Sequence, residues 1–244
     1  MSSPAKRLVQ VLLNRQPAPV QNAARTLIGE IRLARKVRHA DKEFQRFKGA
    51  TGLKLNLGCG GELKRGWINI DVGQVKMFSG NGISSTETVF IDYDLRRGTL
   101  PLENESCDIV YSSHFFEHLN YKQGVSLMRD CFRVLRPGGI FRVALPNLRQ
   151  LFRAYLENDT KHLELIEIKD LLPEVEAGTE TLVDYVNYGV YQYGEHKCIY
   201  DEEKVCLILQ QIGFSSVGPT AFRGDIDPGT EVRRRYSFYV EAVK

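Results

Sequence analysis

Apolar and polar positions alternate between strand and helix patterns along residues 53–146. Short apolar runs are typical of buried strands, and five of them occur here: LKLNL (53–57), WINIDV (67–72), TVFIDYDL (88–95), CDIVYSS (107–113) and IFRVALP (140–146). Before the last run, apolar residues recur at helical spacing from Val125 to Leu135, and Pro137-Gly138-Gly139 ends that helix. Strands that alternate with helices predict an α/β fold with a parallel sheet, whose ligands bind beyond the carboxyl ends of the strands.

A second pattern lies at the amino-terminal end. Val20, Ala24, Leu27, Ile31 and Ala34 recur at spacings of four and three, which predicts an amphipathic helix. Residues 1–50 contain eleven Lys and Arg against three acidic residues, a net charge of +8. Because the whole chain carries +3, residues 51–244 carry −5. We therefore expect a basic helical arm over 1–50 and a separate domain over 51–244.

Three roles of the arm stay open at this point. It can dock on the domain with a solvated basic face, contact an anionic membrane surface peripherally, or pair with a second copy of the chain in a homo-oligomer. Nucleic acid is not expected as a partner, because the arm has no aromatic residues beyond Phe44 and Phe47 and the pI of about 8.5 is unexceptional.

Composition is that of an ordinary globular protein, with 43% hydrophobic and 26% charged residues among 244. The five cysteines are odd in number and widely spaced, without a C-x-x-C pair, which predicts neither a disulfide framework nor a thiolate zinc site. No run approaches the roughly 20 apolar residues of a membrane-spanning helix. We expect a cytoplasmic protein that can also bind at the inner face of the membrane through its arm.

The ends of the first three strands indicate a nucleoside site. Gly58-Cys59-Gly60-Gly61 follows the first strand, and glycines let a ligand approach the backbone closely. Asp71 ends the second strand, where a carboxylate can accept hydrogen bonds from both hydroxyls of a ribose. Asp94 and Leu95 end the third, where they can offer a carboxylate to an adenine amino group and an apolar contact to its face.

The loop after the first strand decides between nucleosides. A dinucleotide site needs a full helix after its glycines, whose N-terminal amides hold the pyrophosphate. Here only five residues, 62–66, separate the glycines from the next strand, enough for about one helical turn of 3.6 residues. The sequence therefore favours S-adenosylmethionine, which carries adenosine without a phosphate.

Four segments in order resemble the class I S-adenosylmethionine-dependent methyltransferases, in particular the bacterial "type 11" group associated with glycan and secondary-metabolite clusters. They are LNLGCGGELKRGWINIDV, DYDLRRGTLPLENESCDIVYSSHFFEHL, CFRVLRPGGIFRVALPN and EHKCIYDEEKVCLILQQIGF, which together cover most of residues 53–217. The resemblance implies a doubly wound, mostly parallel, seven-stranded Rossmann-like sheet, with SSVGPTAF and YSFYVEAV as an antiparallel last strand pair.

The resemblance also implies roles for single residues. Gly58, Cys59 and Gly60 would line the methionine part of the cofactor, and Ser112 or Ser113 would lie under it, near the methyl group. Asp71 would hold the ribose, and Asp94 with Leu95 would frame the adenine. Asn56 stands where many relatives carry an acidic residue that anchors the cofactor's amino group, so its contact would lack charge assistance.

The segment His114-Phe115-Phe116-Glu117-His118 spells H-x-x-E-H, the motif of inverted zinc peptidases. In those enzymes the motif lies within one helix, whereas here it straddles a strand end and the start of the next helix, so we expect no metal. His114 and His196 are the candidate bases for an acceptor hydroxyl, because imidazole titrates near neutral pH. An equally good alternative is that either ring only stabilises a loop.

The acceptor site is expected in an insertion at about residues 148–198, which is longer than a plain crossover. Its tyrosines at spacing three are either core or acceptor contacts, and Tyr188, Tyr191 and Tyr193 are our candidates for binding a sugar or aromatic acceptor. The run Arg233-Arg234-Arg235 either binds an anionic group or forms a solvated loop.

We expect a methyltransferase that acts on an oxygen of a small molecule or glycan, aligns it with the sulfonium and releases S-adenosylhomocysteine. Two other functions stay open. A nicotinamide-dependent oxidoreductase would need a phosphate-binding helix after Gly60. A catalytically silent cofactor-binding module would lack an open acceptor cavity beside the methyl group.

Overall fold

The computed structural model describes residues 41–72, 88–160, 181–227 and 231–244, together with the isolated positions 17, 19, 20, 23, 24, 27, 28 and 31. Ala34 of the predicted arm helix, residues 73–87 and residues 161–180 of the predicted insertion lie outside the described residues. Among the described residues, no helix combines the length and the apolar character needed to cross a membrane.

Seven strands form one sheet in the order β3-β2-β1-β4-β5-β7-β6. The first five are parallel, and β7 runs antiparallel to both β5 and β6. The predicted doubly wound, mostly parallel sheet with an antiparallel last pair is therefore confirmed. The strands are β1 (Leu53–Leu57), β2 (Ile68–Asp71), β3 (Val89–Asp92), β4 (Cys107–Ser113), β5 (Leu135–Pro146), β6 (Ser215–Thr220) and β7 (Ser237–Val243).

Five α-helices are described in the domain: α1 (Tyr121–Val134), α2 (Leu148–Leu156), α3 (Leu182–Tyr191), α4 (Glu202–Ile212) and α5 (Glu231–Tyr236). Short 3-10 turns occur at Leu95–Arg97, Phe116–His118 and Gln192–Gly194. Asn120 caps α1 in a capping box with Gln123, and the Asp201 side chain accepts from the Lys204 amide to cap α4. These caps satisfy amides that a helix leaves open at its start.

Strand residues are buried on both faces of the sheet, as expected for parallel strands covered by helices. In the centre, Leu55, Ile70, Val110 and Val143 are fully buried. A separate small cluster joins α2 to α3 through Leu148, Leu151, Ala154 and Tyr185. This helix pair stands apart from the main core and forms one wall of the site described below.

The arm meets the domain through Phe44. Residues 41–45 are helical, and the buried Phe44 ring packs edge-on against Tyr93 at a centroid distance of 5.3 Å. Further toward the amino terminus, each described position between 19 and 31 is helical, and the apolar side chains of Val20, Leu27 and Ile31 are exposed. The arm thus ends in the core of the domain, while part of its apolar stripe faces solvent.

A fully buried arginine links β5 to the loop before α5. The Arg142 guanidinium donates to both carboxylate oxygens of Asp227, to Oε1 of Glu241 at 2.9 Å and to the carbonyl of Ala221 at 2.9 Å. Asp227 also accepts from the Arg223 amide at 2.6 Å. Because the guanidinium is surrounded by acceptors, its charge is compensated inside the protein.

Candidate functional site

The site lies where the strand order reverses, between β1 and β4. Leu57 at the end of β1 pairs with Ser112 near the end of β4, so the loops that follow these strands diverge and leave a crevice. A cleft of about 660 Å³ opens there. Its walls include Gly58, Cys59, Gly60, Asp71, Asp94, Leu95 and Ser113. Seven of the nine predicted cofactor residues therefore line one cleft.

The glycine loop forms the floor of this cleft. Gly58 has φ +62°, and a Cβ built on it would lie 2.1 Å from Cγ of Phe115, so a side chain here would displace that ring. Residues 59–66 form turns without a helix before β2 begins. The helix that would hold a pyrophosphate is thus absent from residues 58–67, all of which are described.

Asp71 organises the glycine loop from the end of β2. Its Oδ2 accepts from the Gly60 amide at 2.7 Å, and its Oδ1 accepts from the Val72 amide at 2.6 Å. Burial raises the pKa of Asp71, and these two amides counteract the shift. A carboxylate oxygen has two lone pairs, so both oxygens can still accept from a ligand in the cleft.

Asp94 and Leu95 lie further along the same wall. Leu95 is buried, whereas the Asp94 carboxylate caps the 3-10 turn through the Arg96 amide at 3.0 Å and pairs with the Arg96 guanidinium at 2.9 Å. The carboxylate is therefore held in place by Arg96 before any ligand contact is made.

Asn56 and Ser112 stand behind the cleft and are not among its lining residues. The Asn56 amide nitrogen donates to the carbonyl of Glu62 and to Oδ1 of Asn69, both at 2.9 Å. Ser112 Oγ donates to the Leu57 carbonyl at 3.0 Å. This geometry does not support direct cofactor contact by either residue, because their polar groups hold the loop after β1 and join β1 to β4.

A second cavity of about 310 Å³ adjoins the cleft. His114, His118 and Arg233 line both spaces and so mark their junction. The second cavity is otherwise lined by Glu117, Pro146, Asn147, Leu148, Leu151, Tyr188, Gly189, Gln192, His196 and Tyr236. It therefore lies between the ends of β4 and β5 and the α2–α3 pair.

Of the three tyrosines predicted to bind the acceptor, only Tyr188 lines this cavity. Its hydroxyl accepts from Nε2 of Gln192 at 3.1 Å. Tyr191 and Tyr193 are 61% and 57% exposed and do not belong to the lining. The helical spacing was correct for the segment, but it could not tell which side of α3 faces the cavity.

The two candidate bases have different surroundings. His114 has φ +47°, a conformation that is costly for a residue with a side chain, and its Nε2 is 2.7 Å from Oγ of Ser237. His196 donates from Nδ1 to the carbonyl of Gly189 at 3.0 Å. Burial lowers the pKa of both rings. The lowered pKa favours the neutral form of both rings, and because Nδ1 of His196 donates, the lone pair of its neutral ring lies on Nε2.

Glu117 and His118 complete this region, and our sequence-based expectation missed Glu117 as a site residue. The amides of Lys197 and Cys198 donate to the Glu117 carbonyl, which brings His196 beside Glu117 and His118. Burial raises the pKa of Glu117 to about 8. The rings of His118 and His196 lie 5.1 Å apart. His118 is the last residue of a 3-10 turn, and α1 begins three residues later.

Other lining residues could not be found from local patterns. Phe115, Glu195 and Lys197 join the cleft, and Asn147 and Tyr236 join the second cavity, all through contacts between distant parts of the chain. Arg233 was singled out with its neighbours as an anion-binding candidate, and only Arg233 of that run lines either space.

Part of the chain is similar to known proteins. Residues 55–143 match the family described as "Methyltransferase domain". A segment is 48% identical over 58 residues to a probable S-adenosylmethionine-dependent methyltransferase of Mycolicibacterium smegmatis, covering 22% of this chain. The match spans about a fifth of that relative's length, 21%.

Solved structures with a similar course of the chain include an S-adenosylmethionine-dependent methyltransferase from Archaeoglobus fulgidus. It is 17% identical, with 90% of this chain and 99% of that chain covered and a TM-score of 0.49. A corresponding protein from Mesorhizobium loti is also 17% identical, with 80% and 92% covered and a TM-score of 0.45.

Proposed function

We propose that this chain, whose residues 55–143 match the family described as "Methyltransferase domain", is a class I S-adenosylmethionine-dependent methyltransferase of the type 11 group and methylates an oxygen atom of a sugar, glycan or natural-product scaffold. The observation that carries the proposal is the pairing of two spaces. A cleft with a glycine floor and the Asp71 carboxylate opens, at His114 and His118, onto a separate cavity.

The residues of the cleft fit S-adenosylmethionine. Gly58 and Gly60 leave the floor free of side chains, Asp71 offers acceptors to two ribose hydroxyls, and Leu95 offers an apolar face to the adenine. Asp94 can reach the adenine amino group with the lone pairs that Arg96 leaves unused. When bound, the cofactor supplies a methyl group on a sulfonium sulfur.

The second cavity fits a small acceptor with both polar and apolar surfaces. Leu148 and Leu151 offer apolar contact, while Asn147 and Tyr188 can hydrogen-bond hydroxyl groups. The Arg233 guanidinium at the junction can pair with an anionic group of the acceptor, such as a uronate or phosphate. Sugars and polyketide-like scaffolds combine these features, which is the reason for preferring them.

Catalysis in this proposal rests mainly on holding the acceptor oxygen in line with the methyl group. The Nε2 lone pair of neutral His196 can accept the hydroxyl proton as the oxygen attacks. His114, whose Nε2 is bonded to Ser237, is better placed to hold the junction of the two spaces than to accept a proton.

The two alternative functions fit less well. A nicotinamide-dependent oxidoreductase requires a pyrophosphate-binding helix, and residues 59–66 form turns. A silent cofactor-binding module needs no acceptor space, whereas a cavity of about 310 Å³ adjoins the cleft.

Calorimetry with the purified chain tests the cofactor assignment. We expect one S-adenosylhomocysteine to bind per chain with an affinity in the micromolar range, because the cleft offers carboxylate acceptors and a glycine floor but no phosphate site. NAD binding more tightly than S-adenosylhomocysteine would contradict the proposal.

We further propose that the arm contacts an anionic membrane surface peripherally. The net charge of +8 over residues 1–50 and the exposed Val20, Leu27 and Ile31 support this role. In a sedimentation assay at low salt, the chain should pellet with phosphatidylserine vesicles and should stay in the supernatant with phosphatidylcholine vesicles. A homodimer in solution that does not bind either vesicle would favour pairing between two arms instead.

A further inference from the structure

Three potential metal ligands converge between the cleft and the acceptor cavity. One carboxylate oxygen of Glu117 and one ring nitrogen each of His118 and His196 lie within 4.8 Å of one another. A tetrahedral Zn²⁺ at about 2.0–2.2 Å from its ligands holds them about 3.3–3.6 Å apart. Small side-chain rotations would therefore bring all three atoms to one ion.

Both histidines are oriented as metal ligands usually are. His196 donates from Nδ1 to the Gly189 carbonyl, and a ring nitrogen of His118 is hydrogen-bonded to the backbone of Glu195. Such bonds fix the tautomer and leave the second nitrogen as a lone-pair donor.

Glu117 provides the independent observation. Its side chain is almost fully buried, and within the described parts of the chain neither carboxylate oxygen has a hydrogen-bond partner. Nδ1 of His114 lies 3.7 Å from Oε1 of Glu117, beyond hydrogen-bond distance. A buried carboxylate without partners is costly, and a cation between Glu117 and two imidazoles would remove that cost.

We propose that Glu117, His118 and His196 bind a divalent transition metal ion, with Zn²⁺ best matched to the two nitrogen ligands and one carboxylate. The fourth coordination position faces the acceptor cavity, which all three residues line. The H-x-x-E-H motif thus contributes its Glu and second His, and the third ligand comes from 78 residues further along the chain. This replaces our expectation that the motif binds no metal.

Binding of the ion does not depend on the proposed methyl transfer. Only the catalytic role of the ion rests on that proposed function. An acceptor hydroxyl at the open position would lose its proton more readily, because a bound cation lowers the pKa of an oxygen ligand. With the ion bound, the free nitrogen of His196 would be a metal ligand and would no longer serve as the base. The proton would leave to solvent through the cavity, and the acceptor oxygen would attack the methyl group while still oriented by the metal.

Metal titration of the protein, freed of metal and without a histidine tag, tests the proposal in the absence of cofactor and acceptor. We expect one Zn²⁺ per chain, and one Co²⁺ with visible absorption typical of four- or five-coordinate sites. Glu117→Gln and His196→Gln, both close in size to the native residue, should each weaken Zn²⁺ binding by more than about a hundredfold, since even loss of an outer-shell partner costs 10–100-fold.

His114→Gln is the matched control, because this ring is adjacent to the cluster but bonded to Ser237. It should leave Zn²⁺ affinity within a few-fold of the wild-type value, and circular dichroism should show that all variants fold. Wild-type protein that binds Zn²⁺ no more tightly than His196→Gln would overturn the proposal, and so would an equal loss in His114→Gln. If the protein binds S-adenosylhomocysteine but not Zn²⁺, the metal site is refuted and the proposed function still stands.

Discussion

At the scale of single residues, Asp71 has two tasks that one carboxylate performs together. It accepts the amides of Gly60 and Val72, which shapes the glycine loop, and it keeps lone pairs for a ligand in the cleft. The first task explains why an acidic residue at this strand end is needed even before a cofactor binds. A substitution should therefore affect both the loop and the affinity.

Asp71→Ala removes the carboxylate that we propose accepts two ribose hydroxyls. Lost hydrogen bonds to a charged group cost about 1.5–3 kcal/mol, so the Kd for S-adenosylhomocysteine should rise about 10- to 150-fold by calorimetry. Asp108→Asn is the control. Asp108 lies near the start of β4, at the end of the strands opposite the cleft, so this variant should leave the Kd unchanged. Equal affinity of Asp71→Ala and wild type would remove Asp71 from the site.

The sequence could identify a site residue when its place at a strand end was enough to bring it to the cleft. Gly58, Asp71 and Leu95 lie at the ends of strands or just beyond them, and parallel strands bring such positions to the same end of the sheet. Asn56 and Ser112 lie within their strands, where Asn56 bonds to the neighbouring loop and Ser112 to the neighbouring strand. Glu117 was missed because its nearness to His196 depends on backbone bonds between distant segments.

At the scale of elements, strand bounds were predicted well where apolar runs end at polar turns. β1 and β4 have the predicted limits, whereas β5 begins at Leu135, five residues earlier than predicted. The sequence predicts a break between helix and strand at Pro137-Gly138-Gly139. In the fold it lies within the strand, where the pairing of β4 with β5 shifts register between Cys107 and Ile109.

The α2–α3 pair shows how one helix presents similar residues to different surroundings. Tyr188 lines the second cavity, whereas Tyr191, three residues later, is largely exposed. Tyr188→Ala should lower methyl transfer from labelled S-adenosylmethionine to a small-molecule extract by about tenfold, because a buried aromatic contact is worth more than about 1 kcal/mol. Affinity for S-adenosylhomocysteine should not change.

Tyr191→Ala is the matched control for this prediction, since it removes the same ring from the same helix outside the cavity. It should transfer methyl groups at the wild-type rate. Equal losses in the two variants would indicate that the acceptor site does not lie against α3.

At the scale of the whole molecule, the buried Arg142–Asp227 pair connects the centre of the sheet with the loop that precedes α5. Arg142 and Asp227 are both fully inaccessible in their side chains. The loop is held by this pair and by the Arg223 amide, and α5 after it carries Arg233 to the junction of the two spaces. The stability of the fold and the shape of the site are therefore coupled through one ion pair.

Asp227→Ala should destabilise the protein by about 3–5 kcal/mol, because it leaves a buried guanidinium without its main partner. Urea unfolding followed by circular dichroism measures this change. Asp225→Asn is the control from the same loop, since its ion pair with Arg223 is largely exposed and should contribute little to stability. Replacing both partners, as Arg142→Met with Asp227→Leu, should recover most of the loss, because no buried charge then remains unpaired. A single Asp227→Ala variant as stable as Asp225→Asn would show that Glu241 and the Ala221 carbonyl compensate Arg142 without Asp227.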